Sequence, residues 1–222
     1  MFRSQPSLFG GNAANRVMLP DGSDVWFIPA YVQSDEADRL FDYLRELPGW
    51  RQDVIRLYGR THKVPRLHRW FAESHQPYRW SGIEMHPEPF PGQLHGTLQR
   101  IRTESAVPFN TALGNLYRTG SDSVSWHSDD EPDLGPNPVI ASLSLGATRR
   151  FLLRRKLNHS ESLSFDLSHG SLLWMSGATQ ALWEHSLPKT QRKVELRINL
   201  TFRAILGVPS RAPGTDERLS AD

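Results

Sequence analysis

The sequence predicts a mainly β fold in which N-terminal helices pack on a C-terminal antiparallel double sheet of sandwich or barrel type. Three observations predict it. Apolar residues recur at helical spacing only before Val107; beyond it the period is two, in short β-rich segments separated by turn residues. The chain has 222 residues, 38% of them hydrophobic and 23% charged, which suits one large domain with its own core and excludes a disordered or collagen-like chain. There is no cysteine, so disulfides, zinc ribbons, iron–sulfur clusters and thiol nucleophiles are excluded together, and any metal must be held by histidine and carboxylate.

Residues 1–22 are rich in Gly, Asn, Ser and Pro and read as a flexible tail, as do residues 207–222. Between them, 23–206 reads as a single domain. Ser34 is placed to cap a helix that carries Asp35 and Glu36 in its first turn, repeats Leu40, Phe41, Leu44 and Leu47 on one face and stops at Pro48-Gly49. A second helix is expected over 91–103, with Leu94, Leu98 and Ile101 on one side. Strands are expected near 109–118, 139–146, 150–154, 162–167, 171–176, 181–187 and 194–204. No internal repeat is visible. The first 22 residues contain no apolar run of signal-peptide length, and no stretch approaches the ~20 apolar residues that span a bilayer, so a cytoplasmic protein without a membrane partner is expected.

The formal charge is only +2, yet four of the 26 basic residues are lysine and the other 22 arginine. Arginine suits bidentate recognition of carboxylate and phosphate, which admits a nucleic acid or an acidic substrate; genomic base composition accounts for the bias equally well. Arg149, Arg150, Arg154 and Arg155 form a basic run able to hold phosphates or simply to coat a surface.

The nine histidines are the first place to look for chemistry. His127-Ser128-Asp129 sets an imidazole and a carboxylate two residues apart, on one face of an extended segment, and His185 on the strand-like 181–187 is the best-placed third ligand. Two histidines and a carboxylate leave positions open on a metal, the arrangement of non-haem Fe(II) oxygenases. The pattern is weak alone, since His86-Pro87-Glu88 and His159-Ser160-Glu161 share it. Its companion is Arg197-Ile198-Asn199-Leu200-Thr201-Phe202-Arg203, whose alternation puts Arg197, Asn199, Thr201 and Arg203 on one face. Six residues of strand separate the two arginines by roughly 20 Å. Two side chains converging inward leave a gap that a short dicarboxylate would fill. A solvated polar face is the competing reading of this strand. Asn115-Leu116-Tyr117 presents an amide and a phenol on one side, as further recognition groups or as an ordinary core-edge tyrosine.

Taken together and in this order, Asn115-x-Tyr117, His127-x-Asp129, His185 and Arg197-x-Asn199-x-Thr201-x-Arg203 resemble the AlkB family of Fe(II)- and 2-oxoglutarate-dependent dioxygenases over roughly 55–204. The resemblance implies a double-stranded β-helix, or jelly roll, with a core at about 107–204, N-terminal helices and a nucleotide-recognition lid at about 50–90. It implies His127, Asp129 and His185 as iron ligands; Asn115, Tyr117, Arg197, Asn199 and Arg203 as 2-oxoglutarate contacts; and Fe(II), 2-oxoglutarate and O2 as the reacting partners. In the lid, which includes Val64-Pro65-Arg66, Trp80 is implied to stack on an extruded base, a core tryptophan being the competing reading, and Tyr78 is implied to contact substrate from the same lid. Asp130 and Glu131 are implied to face the damaged base, which is cationic, and Tyr58 in Leu57-Tyr58-Gly59 to act as a wedge in the base stack. The implied activity is oxidative demethylation of N-alkylated bases of the 1-methyladenine and 3-methylcytosine type in DNA, with RNA a further polymer, by a monomer that releases formaldehyde. An oxygenase acting on protein or small molecules, and a non-catalytic nucleic-acid-binding jelly roll, are the alternatives.

Overall fold

The period-two segments of the C-terminal half build two facing antiparallel sheets, and the N-terminal half covers the larger one. The computed structural model describes residues 15–19, 21–57, 60–73, 78–80 and 83–206. In chain order the N-terminal half runs β1 (Asn15–Met18), β2 (Ser23–Ile28), α1 (Ser34–Glu46), β3 (Val54–Leu57), β4 (Arg60–Lys63), β5 (Leu67–Ala72), β6 (Tyr78–Trp80), β7 (Ile83–Met85) and α2 (Gly92–Ser105). There follow β8 (Thr111–Tyr117), β9 (Val124–His127), β10 (Ile140–Gly146), β11 (Arg149–Arg155), β12 (Ser162–Leu167), β13 (Leu172–Gly177), α3 (Thr179–Leu182), β14 (Trp183–Leu187) and β15 (Arg197–Arg203). The major sheet has the order β1-β2-β13-β10-β15-β8-β5 and the minor sheet β12-β11-β14-β9. Strands distant in sequence become neighbours, which is the winding of a jelly roll.

The major sheet is buried on both faces. On one, Leu143, Leu172, Ile198, Leu200 and Phe202 pack with Leu40 and Leu44 of α1 and Leu94, Leu98 and Ile101 of α2. On the other, Leu113, Ile140, Leu173 and Met175 meet Phe151, Leu153, Trp183 and Leu187 of the minor sheet. Burying such side chains stabilises by roughly 1.5–3 kcal/mol each before chain entropy is set against it. β15 is an interior strand of the major sheet, between β10 and β8, and all seven of its residues are buried.

Both helices form where the apolar spacing places them. In α1, Gln33 precedes the first helical turn in an extended conformation and no side chain caps it, so Ser34 is helical rather than the cap; Asp35 and Glu36 still lie in the first turn, where they suit the helix dipole. α2 ends on Ala106, which takes a left-handed conformation (φ 55°) and returns its N–H to the Arg102 carbonyl.

Two boundaries move. Residues 15–18, expected within a tail, form the edge strand β1, because Arg16 both pairs with Asp24 (2.9 Å) and lies over the Trp26 ring, tying the strand to β2. Residues 67–72, expected within the lid, form β5 and pair with β8 along its whole length, since Trp70, Phe71 and Ala72 supply apolar surface that only the sheet can bury. The rest of the 50–90 region contains two short ribbons, β3 with β4 and β6 with β7. Residues 1–14 and 207–222 lie outside the described residues.

Candidate active site

The metal-ligand candidates converge because two strands of the minor sheet deliver them. β9 and β14 run antiparallel with His127 directly opposite His185, so both rings project to the same face, 4.3 Å apart between centroids. Asp129 lies two residues beyond His127 and turns its carboxylate back. One ligand atom from each of the three residues lies within 4.8 Å of the others, and among the described residues this is the one such cluster. His86 and His159 do not join it. Glu88 is instead paired with Arg69, and His159 faces Glu184 at 3.6 Å.

The electrostatics favour a cation at this point. His127 Nδ1 is 2.9 Å from the Ser125 carbonyl, an arrangement that places the ring proton on Nδ1 and leaves the Nε2 lone pair for a metal. His185 is stacked on Phe151 (5.2 Å, 25°), and burial, reinforced by His127, pushes its pKa down to about 3, so the ring is neutral at physiological pH. Its Nδ1 is buried without a hydrogen-bond partner. Burial works to raise the Asp129 carboxyl, but Arg203, whose Nη2 donates to Oδ1 at 2.7 Å, outweighs it with the two imidazoles and holds the pKa at about 2. Two imidazoles, one ionised carboxylate and an orphaned buried ring nitrogen fit a divalent metal, with coordination positions left for other ligands.

The pocket beside this cluster is walled by β15 and β8, where Arg197 opposes Tyr117 and Asn199 opposes Asn115. Arg197, Asn199, Thr201 and Arg203 are 2, 6, 8 and 4% exposed, which overturns the solvated-face reading of the strand. The Arg197 guanidinium lies 5.2 Å over the Tyr117 ring and donates from Nη2 to Ser144 Oγ at 2.9 Å. Its Nε is buried without a partner, and among the described residues no carboxylate lies within ion-pair distance. Burial lowers its pKa to about 10, so it remains a cation at neutral pH. A buried cation without a protein anion is unfavourable until an anionic ligand arrives. The two arginines are thus not equivalent, as a dicarboxylate held symmetrically between them would require: Arg203 is committed to Asp129, while Arg197 is uncompensated.

The amides are largely engaged with protein. Asn199 donates from Nδ2 to Ser142 Oγ (2.8 Å) and the Leu143 carbonyl (3.0 Å), and its Oδ1 accepts from Thr201. Asn115 Oδ1 accepts from Arg66 Nε at 2.7 Å. Arg66, expected in the lid, is 6% exposed and lines the pocket. The dipeptide Pro65-Arg66 carried no signal of that placement; it follows from β5, which starts one residue later.

The implied base contacts divide. Asp130 is exposed at the surface, where its carboxylate pairs with Lys156 at 3.2 Å. Glu131 is partly buried beside Arg203 and Asp129; burial raises its pKa, and its Oε2 has no hydrogen-bond partner. Tyr58 lies outside the described residues, as do the side chains of Tyr78 and Trp80, whose backbones form β6. The basic run is also accounted for. Arg149 is buried and donates to the Thr119, Asp122 and Pro188 carbonyls; Arg150 pairs with Asp166, Arg154 with Glu184, and Arg155 with Asp21 and Glu161.

The family model of the 2OG-Fe(II) oxygenase superfamily matches residues 24–203. The human protein alpha-ketoglutarate-dependent dioxygenase alkB homolog 3 is 42% identical over 206 residues, covering 88% of this chain and 71% of the human one. The chain belongs to the AlkB family. This AlkB-family chain is also 35% identical to the mouse DNA oxidative demethylase ALKBH2, over 77% of its own length and 76% of the relative's. The solved structure of OsALKBH1 superposes with a TM-score of 0.54 at 17% identity, covering 85% of this chain and 99% of the other, and shows the shared jelly-roll fold. As an AlkB-family enzyme the protein is an Fe(II)- and 2-oxoglutarate-dependent dioxygenase, with O2 as its other cosubstrate. Among the described residues, no helix is long and apolar enough to cross a membrane.

Proposed function

We propose that this oxygenase demethylates N-alkylated bases of the 1-methyladenine and 3-methylcytosine type in DNA, with RNA as a second polymer it accepts, and releases formaldehyde. The observation that carries this reading is Glu131, an acidic side chain beside the metal cluster with one carboxylate oxygen uncommitted. A ring-methylated adenine or cytosine is cationic and bears an exocyclic amine donor, so such an oxygen is a suitable partner for it. The names of the relatives, a DNA oxidative demethylase among them, support the same reaction.

In this reading His127, Asp129 and His185 hold the iron. Arg197, steered by Ser144 and Tyr117, takes the far carboxylate of 2-oxoglutarate; Arg203, Asn115 and Asn199 shape the end nearer the metal. Iron with 2-oxoglutarate and dioxygen supplies hydroxylation of the N-methyl C–H bond; the resulting N-hydroxymethyl group separates as formaldehyde and leaves the repaired base. The chain's contribution is placement and dryness: Leu113, Phe151, Met175 and Leu187 line the same pocket and exclude water around the reacting methyl group. Tyr78 and Trp80 on β6, with Tyr58, are the proposed contacts to the extruded base and its neighbours.

The test is to incubate anaerobic protein with Fe(II) and 2-oxoglutarate, record the visible charge-transfer band, then admit air with a methylated oligonucleotide and measure formaldehyde. Formaldehyde stoichiometric with succinate is expected. Succinate without formaldehyde on any methylated DNA or RNA would refute the demethylase reading and favour a protein or small-molecule substrate.

A further inference from the structure

The Asp129 carboxylate is only as well placed as the backbone that carries it. That backbone has left the sheet. β9 ends at His127, and residues 128–131 belong to no strand, so the Asp129 N–H has no ladder partner. It donates instead to Gln180 Oε1 at 2.9 Å, with both residues buried, at 1 and 0% exposure. Gln180 stands on the single turn α3, between β13 and the strand that delivers His185. Its amide can serve Asp129 in one orientation only. Nε2 faces the Met175 thioether at 3.6 Å, a sulfur that can accept weakly and cannot donate, so the oxygen must point to the N–H. Behind it, the Gln180 carbonyl accepts from Lys156 Nζ at 2.9 Å, and the same ammonium reaches Asp130 Oδ2 at 3.2 Å. Lys156 follows β11 directly, at the start of the turn into β12. A strut thus runs from that turn through α3 to two consecutive residues of the ligand loop.

We infer that Gln180, backed by Lys156, is a positioning residue for the metal ligand Asp129. It fixes the peptide at one end while Arg203 fixes the carboxylate at the other. Without the Gln180 oxygen, a buried N–H is left unsatisfied, and the peptide gains by turning toward another acceptor, which swings the carboxylate off the metal. The inference rests on the reading of Asp129 as a metal ligand.

The experiment is an anaerobic Mn(II) titration of the full chain with saturating 2-oxoglutarate, followed by the EPR signal of free Mn(II), with apo-protein melting measured in parallel. Gln180→Met, which matches the side chain in length and removes the acceptor, should weaken Mn(II) binding ten- to a hundredfold, the range usual for groups behind a metal ligand. Gln180→Glu, which keeps an oxygen there, should bind more tightly than Gln180→Met. Lys156→Met, altered from the partly exposed end, should weaken binding several-fold in the same direction and carries the test if Gln180→Met does not fold. Mn(II) affinity within twofold of wild type in Gln180→Met and Lys156→Met, whatever the melting temperature, overturns the inference and leaves Gln180 a merely structural residue. Asp129→Ala separates the two levels: wild-type affinity in that variant removes the ligand assignment itself, whereas its loss beside unaltered Gln180 and Lys156 variants removes the strut alone.

Discussion

Arg197→Met should make the protein without cosubstrate more stable and the enzyme far weaker in 2-oxoglutarate binding. The buried Arg197 guanidinium has its pKa lowered from the ordinary arginine value to about 10, with burial the leading cause. A displacement of that size corresponds to about 3 kcal/mol of unfavourable burial of the cation at neutral pH. Methionine removes that cost and gives up the charge-assisted hydrogen bond to Ser144, worth about 1.5–2 kcal/mol, so a net gain of about 1–1.5 kcal/mol remains. For a chain of this size, that raises the melting temperature by about 2–6 °C. With cosubstrate the sign reverses. A buried guanidinium–carboxylate contact is worth about 3–5 kcal/mol when one partner is removed, which is about 150- to 5,000-fold in affinity. Melting curves with Mn(II), with and without 2-oxoglutarate, should therefore cross: the variant melts above wild type in the absence of 2-oxoglutarate and below it in millimolar 2-oxoglutarate. A lowered melting temperature without cosubstrate, together with a 2-oxoglutarate dependence within about threefold of wild type, would show instead that Arg197 is a structural cation.

Arg203→Ala should weaken metal binding as well as raise the 2-oxoglutarate requirement, because it also releases Asp129 from the contact that holds its carboxyl at about 2; metal titration of the variant checks this, with DNA affinity expected to change little. Burial lowers the pKa of His68 below 6.5 against the pull of Asp53, 2.6 Å away, so the unfolded chain binds more protons as pH falls below about 6.5. Stability is therefore full above that point and lost from there down through the lowered folded pKa; urea unfolding at several pH values should show the loss, and His68→Gln should flatten it. Gly120→Ala should destabilise by about 1–3 kcal/mol, since a Cβ there would collide with the Thr190 backbone carbonyl and push apart the loops that Arg149 also joins; a melting temperature within 1 °C of wild type would contradict it.

Legibility in the sequence followed how much of each decision was local. The alternation of Arg197 to Arg203 is a property of seven consecutive residues, and it divides them into two faces: apolar side chains toward the helices, polar ones toward the pocket. Whether the polar face met solvent was not readable, because that depends on the minor sheet closing over it. β5 was hidden for the same reason. Leu67 to Ala72 contains His68 and Arg69 among its apolar residues, and only pairing with β8 explains why both are buried. His127 and Asp129 were conspicuous as a pair, whereas Arg66, whose guanidinium meets Asn115 across 49 residues of chain, left no mark in its neighbourhood. Arg149 and Arg150 are adjacent arginines with opposite fates, one buried among carbonyls and one exposed with Asp166. Strand alternation separates them, but which parity faced inward was not in the pair itself.

The pairing of β9 with β14 has a mechanical consequence. β9 is one of the two edge strands of the minor sheet, it has one neighbour among the described residues, and its register with that neighbour shifts between His185 and Leu187, so its ladder is short and irregular. A metal held by His127, Asp129 and His185 would rivet that loose margin to the next strand. Loading iron would then do for the sheet what a cross-strand disulfide does elsewhere, in a chain that has no cysteine to make one. Amide hydrogen exchange in β9 should slow on metal binding far more than in β11 or β12, which makes the margin of the sheet a reporter of whether the enzyme is charged.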